Sequence, residues 1–162
     1  MRKVIVNTTP LIALAGIGHL NVLEKLFGEV TIPRAVYNEI CAKPDNECAK
    51  QLQQALDWIA IEDIVNTEAK MYYKTQLHDG EVEVMILEKE IQADLMIVDD
   101  NNAKKHAKYL GLPVTGTIGV LIKAKNLGIV SALKPLLERM LENHIYMSSA
   151  LMQMCLEEVG EV

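Results

Sequence analysis

Residues 78–102 limit what this chain can become more than any other stretch. They run His78-Asp79-Gly80-Glu81, then an apolar-rich segment over 82–91, then Gln92-Ala93-Asp94, the apolar residues Leu95-Met96-Ile97-Val98, and finally Asp99-Asp100-Asn101-Asn102. Val82, Val84, Met85, Ile86, Leu87 and Ile91 cover most of a helical circumference, which predicts a buried helix rather than one lying on the surface. Two narrow charged strips remain on that helix, Glu81/Glu88 and Glu83/Glu90. The apolar run at 95–98 is short enough for a central strand, and it ends in two adjacent carboxylates. Ligands of open α/β sheets bind beyond the carboxyl ends of strands, so this acidic pair is a candidate cation site.

The rest of the chain alternates in the same way. Strands are expected at 3–6, 29–32, 58–61, 95–98 and 113–115. Helices are expected over 11–15, 20–27, 34–43, 47–56, 68–76, 82–91, 103–110, 117–126 and 132–141. Gly28, Gly111 and Gly128 read as helix stops. Met147, Ala150, Leu151, Met154 and Cys155 follow the spacing of an amphipathic helix at about 147–158. Strands alternating with helices predict a mostly parallel sheet covered on both faces, within one domain spanning 1–162. Half the residues are hydrophobic but only 4% are aromatic, so the core must be aliphatic.

Charge and cysteine usage narrow the function classes. A net charge of −6 argues against a general nucleic-acid coat protein, which would be basic. It leaves room for a nuclease, whose carboxylates count as negative until a cation neutralises them. Cys41, Cys48 and Cys155 are odd in number and lack the C-x-x-C spacing, which disfavours a disulfide framework or a zinc site and fits reduced thiols in the cytoplasm. Asn7-Thr8-Thr9-Pro10 interrupts the only run that imitates a signal peptide, and no run approaches a membrane span.

Parallel strands carry their carboxyl ends to one edge of the sheet. Asn7 and Thr9 follow the first strand, Asp99 and Asp100 follow the strand at 95–98, and these groups converge if the two strands are neighbours. Glu39 and Glu81 are placed to join them from helices. Such an oxygen-rich set suits Mg²⁺ or Mn²⁺. Lys104, Lys105 and Lys108 on the next helix, with Lys123 and Lys125 further on, are placed to hold a phosphate backbone, or simply form solvated helix faces. Each acid also has a structural explanation: Asp79 and Asp100 suit helix N-caps, and Glu81 suits the dipole at a helix start. His78, beside Asp79, is the one histidine worth testing. Gly116-Thr117-Ile118-Gly119 is a weak phosphate-loop signal, equally explained by a helix start packed closely on the sheet.

The opening 4–15, the Asp79-Gly80-Glu81 segment with its apolar helix, the run 95–100 and the segment 111–117 occur in the order used by PIN-domain-like proteins. The chain resembles that family over roughly 1–158, and within it a prokaryotic branch related to VapC-type toxins. The resemblance implies a three-layer α/β/α domain and a Mg²⁺- or Mn²⁺-dependent ribonuclease. The implied reaction is attack on a phosphodiester by metal-activated water. It places the four acidic positions of the family on Asn7, Glu39, Glu81 and Asp99, with Asp100 as the adjacent candidate and Thr9 as the hydroxyl two positions after the first. Lys104 and Lys105 become candidate RNA contacts, and a small antitoxin protein and a homodimer become expected partners. Asn at position 7, where most active relatives have Asp, removes one negative charge from the expected cup and weakens metal binding. The alternative is a weak or inactive PIN-like domain that binds RNA or a protein. A phosphatase would need a nucleophilic Asp at position 7, and a receiver domain would carry its acidic pair early.

Overall fold

Short aliphatic runs become strands, and the segments between them become helices. The computed structural model of the chain describes residues 2–73 and 79–161. In chain order the elements are β1 (Val4–Val6), α1 (Thr8–Gly16), α2 (Val22–Phe27), β2 (Val30–Pro33), α3 (Arg34–Cys41), α4 (Glu47–Gln54), β3 (Ile59–Glu62), a 3₁₀ turn (Thr67–Ala69), α5 (Lys70–Tyr73), α6 (Asp79–Ile91), β4 (Leu95–Ile97), α7 (Asn101–Tyr109), β5 (Val114–Thr115), α8 (Thr117–Asn126), α9 (Lys134–Glu142) and α10 (Ser149–Glu158).

Every strand pairing is parallel, and the order across the sheet is β3-β2-β1-β4-β5. Parallel neighbours need long crossovers, and helices supply them, so the sheet is sandwiched in a three-layer α/β/α arrangement. β1 lies in the middle and all of its residues are buried. The core is aliphatic as composition requires, with Ile5, Ile32, Leu87, Met96 and Ile97 among its largest fully buried side chains. Gly28 and Gly128 follow α2 and α8 in the left-handed region, at φ 78° and 76°, where a side chain would be strained. No helix among the described residues is long and apolar enough to cross a membrane.

Most expected helices shift by a few residues at one end or both; α1 begins at Thr8 and α6 at Asp79, each three residues early. The helix expected over 68–76 is a 3₁₀ turn followed by α5 as far as Tyr73, and residues 74–76, like His78, lie outside the described residues. α7 begins at Asn101 rather than 103, because the Asp100 carboxylate accepts the Ala103 N–H at 2.9 Å and caps the helix there.

α6 is buried as its sequence predicts, and one acid of each charged strip is buried with it, while Glu90 stays exposed. Glu83 and Glu88 are 7% and 4% exposed. Glu83 accepts the Ala35 N–H at 2.9 Å, at the start of α3, and takes the Lys70 ammonium at 2.8 Å. Glu90 accepts the backbone N–H groups of Val65 and Asn66. The Glu83/Glu90 strip is therefore a two-point fastening for the segment between β3 and α5.

Glu88 has no such partner. Its Oε1 is buried and meets no hydrogen-bond donor among the described residues, and burial raises its carboxyl above the ordinary value, with nearby Lys89 opposing that rise. A raised folded-state value means that Glu88 favours folding most at low pH. That contribution is lost as pH climbs from the ordinary carboxylate range through the raised value. Glu88→Gln is thus expected to raise stability at pH 7 by about 1 kcal/mol, with the gain fading below about pH 4. Urea denaturation of both proteins at the two pH values measures this. A glutamine variant that is less stable at pH 7 would refute it.

The stripe on α10 and the residues before it divides between core and solvent. Met147, Cys155 and Leu156 are buried, whereas Leu151 and Met154 are 41% and 65% exposed. Glu161, just beyond α10, accepts the N–H of Lys134 at 3.0 Å and ties this end of the chain to the start of α9.

Candidate active site

The order of the strands creates the site. β1 has β2 on one side and β4 on the other, so the connections diverge between β1 and β4 and leave a crevice at their carboxyl ends. Val6 pairs with Ile97, and the Asn7 N–H donates to the Ile97 carbonyl at 3.0 Å. The adjacency on which convergence depended is therefore present. Asn7 and Asp99 leave neighbouring strands at the same edge of the sheet.

Asn7 is buried, and its side-chain oxygen accepts the Thr8 N–H at 2.8 Å, capping α1. Thr8 is buried too, and its hydroxyl meets no hydrogen-bond partner among the described residues. Thr9, the hydroxyl singled out from sequence, is exposed. A Cβ placed on Gly80 would lie 3.3 Å from Thr8 Oγ1, 3.4 Å from Val36 Cγ2 and 3.5 Å from Glu39 Oε2. The start of α1, the start of α6 and the side of α3 therefore meet around Gly80, with the Glu39 carboxylate and the Thr8 hydroxyl facing that point. Glu81 follows in the first turn of α6 and is half-buried. Asp79 lies inside α6 rather than capping it, and is exposed.

On the other side of the crevice, Asp99 is held at two points. Its Oδ1 accepts the Thr117 N–H at 2.8 Å and its Oδ2 accepts the Thr117 hydroxyl at 2.6 Å. Thr117 is 2% exposed and begins α8, so the carboxylate also sits where the helix dipole favours a negative charge. A Cβ on Gly116 would come within 2.6 Å of Asp99 Oδ1 and 3.1 Å of Lys104 Nζ. Glycine is what lets the carboxylate and the Lys104 ammonium share this place. A Cβ on Gly119 would collide with the Thr115 hydroxyl. Close packing of α8 on the sheet thus accounts for both glycines without a phosphate loop. Asp100 serves α7 as its cap, and Lys105 is exposed on the outer side of that helix.

The candidate donors are hard oxygens: an amide carbonyl at Asn7, carboxylates at Glu39, Glu81 and Asp99, and the Thr8 hydroxyl, which has no hydrogen-bond partner among the described residues. By type they fit Mg²⁺ or Mn²⁺. Each Asp99 oxygen accepts one hydrogen bond in the contacts above and retains lone-pair capacity for a cation. Among the described residues, however, no three side chains of His, Cys, Asp and Glu gather closely enough to hold a metal ion by themselves. With asparagine at position 7, the central pair offers one formal negative charge rather than two.

Thr8 and Thr117 are the site neighbours that the sequence did not single out for these roles. The signal for Thr8 was there, since positions 8, 11 and 15 share one helical face with buried Leu11 and Ala15. The contact between Thr117 and Asp99 spans 18 residues and has no local signature. It exists because β5 pairs with β4 and delivers the start of α8 to the end of β4.

No curated protein matches the chain. The model of family DUF3368, described as a PIN domain, matches residues 3–161. With nearly the whole length matched, and with a parallel sheet sandwiched between helices, the chain belongs to the PIN-domain family.

Proposed function

We propose that the protein is a Mg²⁺- or Mn²⁺-dependent ribonuclease acting at the crevice between β1 and β4. The observation that carries the proposal is the pairing of β1 with β4 in a chain of this family, which sets Asn7 beside the segment leading to Asp99. Asn7, Glu81 and Asp99 would hold the cation, with Asp100 as the neighbouring acid and Glu39 acting from α3. When bound, the cation supplies an acidified water and neutralises charge on the phosphate. Thr117 holds the Asp99 carboxylate in place. Lys104, near that carboxylate, would pair with a phosphate oxygen, and exposed Thr9 and Lys105 would touch the RNA outside the crevice. The Thr8 hydroxyl, which has no hydrogen-bond partner among the described residues, would orient a water.

A second reading, a weak or inactive domain that binds RNA or a protein, is favoured by Asn7 and by the absence of a three-acid cluster among the described residues. Asn7→Asp separates the two. An aspartate oxygen can keep the bond to the Thr8 N–H, so the fold survives while the site gains a negative charge. The variant is expected to bind Mn²⁺ about tenfold more tightly by calorimetry and to cut RNA faster. Wild-type cleavage should require the metal and should be lost in Glu81→Gln. Absence of Mn²⁺ uptake and of metal-dependent cleavage in both wild type and Asn7→Asp would leave the binding reading.

The role of toxin, with a small antitoxin protein as partner, and a homodimer belong to the same proposal. Exposed Leu151 and Met154 offer a surface for self-association. Light scattering reads it directly, and a monomer at every concentration would remove the dimer.

A further inference from the structure

The outer face of α7 is basic in a protein whose net charge is −6. Its sequence, NNAKKHAKY, contains no acid. Ala103 and Ala107 are buried, which fixes the rotation of the helix. Asn101, Lys105, Lys108 and Tyr109 fall at i, i+4, i+7 and i+8 on the opposite side, and all four are exposed. Tyr109 is 87% exposed, and neither lysine is in an ion pair among the described residues. An exposed aromatic ring among free ammonium groups and amides gains nothing for the fold. It matches what single-stranded nucleic acid presents, namely phosphates at intervals and bases with open faces.

We infer that this face of α7 is the track that carries single-stranded RNA away from the crevice, with Lys105 and Lys108 on successive phosphates and Tyr109 as a stacking platform for one base. The inference rests on the nuclease reading for the identity of the polymer and adds the strand's path and form. α7 starts two residues after Asp99, carries Lys104 in its first turn, and runs about 13 Å to Tyr109. The stacked base therefore belongs to a nucleotide outside the crevice and is read by its face rather than its hydrogen-bonding edge. Duplex RNA has no unstacked base to offer, so the platform selects single strands.

Binding of the full-length protein to a short fluorescent single-stranded RNA, and to the duplex of the same sequence, tests this in EDTA, where no cutting occurs. Tyr109→Ala is expected to weaken single-strand binding about tenfold or more and to leave duplex binding unchanged, while Tyr109→Phe retains wild-type affinity. The double variant Lys105→Ala/Lys108→Ala should weaken both and flatten the salt dependence of single-strand binding by about 1.4 in log–log slope. Wild-type affinity in Tyr109→Ala, or an equal loss for duplex, overturns the inference even if the protein cleaves RNA. Expected binding by a protein that cuts nothing with Mn²⁺ keeps the track and removes the nuclease reading. Circular dichroism of the variants confirms the fold, which replacement of so exposed a side chain leaves intact.

Discussion

Asp99→Asn is expected to lower metal-dependent RNA cleavage on the order of a hundredfold or more, with little change in stability. The contrast arises from the two bonds that hold this side chain. Thr117 gives Asp99 a backbone N–H at 2.8 Å and a hydroxyl at 2.6 Å. An asparagine can keep both, because its carbonyl accepts the N–H and its amide donates to a hydroxyl that rotates to accept. Shape and packing survive, and only the negative charge goes. If the cation is held as proposed, that charge is the main one at the meeting of β1 and β4, since position 7 contributes a neutral amide. A single-turnover cleavage assay in Mn²⁺, with a thermal melt on the same samples, measures both halves. Undiminished cleavage by a normally folded Asp99→Asn protein would remove the assigned site.

Glu83→Ala is expected to act in the opposite sense, on the fold rather than the chemistry. Glu83 is 7% exposed and joins three elements: the start of α3 through the Ala35 N–H, α5 through Lys70, and its own α6. Truncation leaves a part-buried N–H without its acceptor and an ammonium without its counter-ion. Breaking a buried pair costs about 3–5 kcal/mol, and the lower end applies because Lys70 retains some access to water. For a chain of this length that corresponds to a melting point roughly 10 °C lower. Glu83→Gln, which keeps an acceptor for Ala35, should lose distinctly less. Equilibrium urea unfolding of both variants checks the order, and a loss below about 1 kcal/mol for the alanine variant would show that the fastening is dispensable. The exposed Arg34–Asp63 pair at 3.1 Å should contribute little by comparison.

These two carboxylates show where sequence information ends. The burial of α6 was legible, because apolar residues surround most of its circumference. The destinations of its acids were not. Glu83 and Glu88 look alike within the strips, yet one caps a distant helix and the other is buried with an oxygen that meets no donor among the described residues. What separates them is the segment from β3 to α5 and the start of α3, elements that reach α6 only after the chain has folded. Asp99 and Asp100 are adjacent and identical in sequence, and they too part company. Asp100 meets the start of its own following helix, a local matter that its position foretold. Asp99 meets Thr117, which only the pairing of β4 with β5 brings near.

By itself, the sequence determined the local features. Aliphatic runs had to be strands, apolar periodicity had to be helix, Gly28 and Gly128 had to end helices, and alternation of the two had to give a covered parallel sheet. Each follows from interactions within a few residues or from the need to bury one face. The tertiary structure alone decided the lateral order β3-β2-β1-β4-β5, and with it the crevice where Asn7 and Asp99 leave neighbouring strands. Strand order depends on contacts between residues far apart in the chain, and the spacing of side chains along one segment carries no record of which segment will lie beside it.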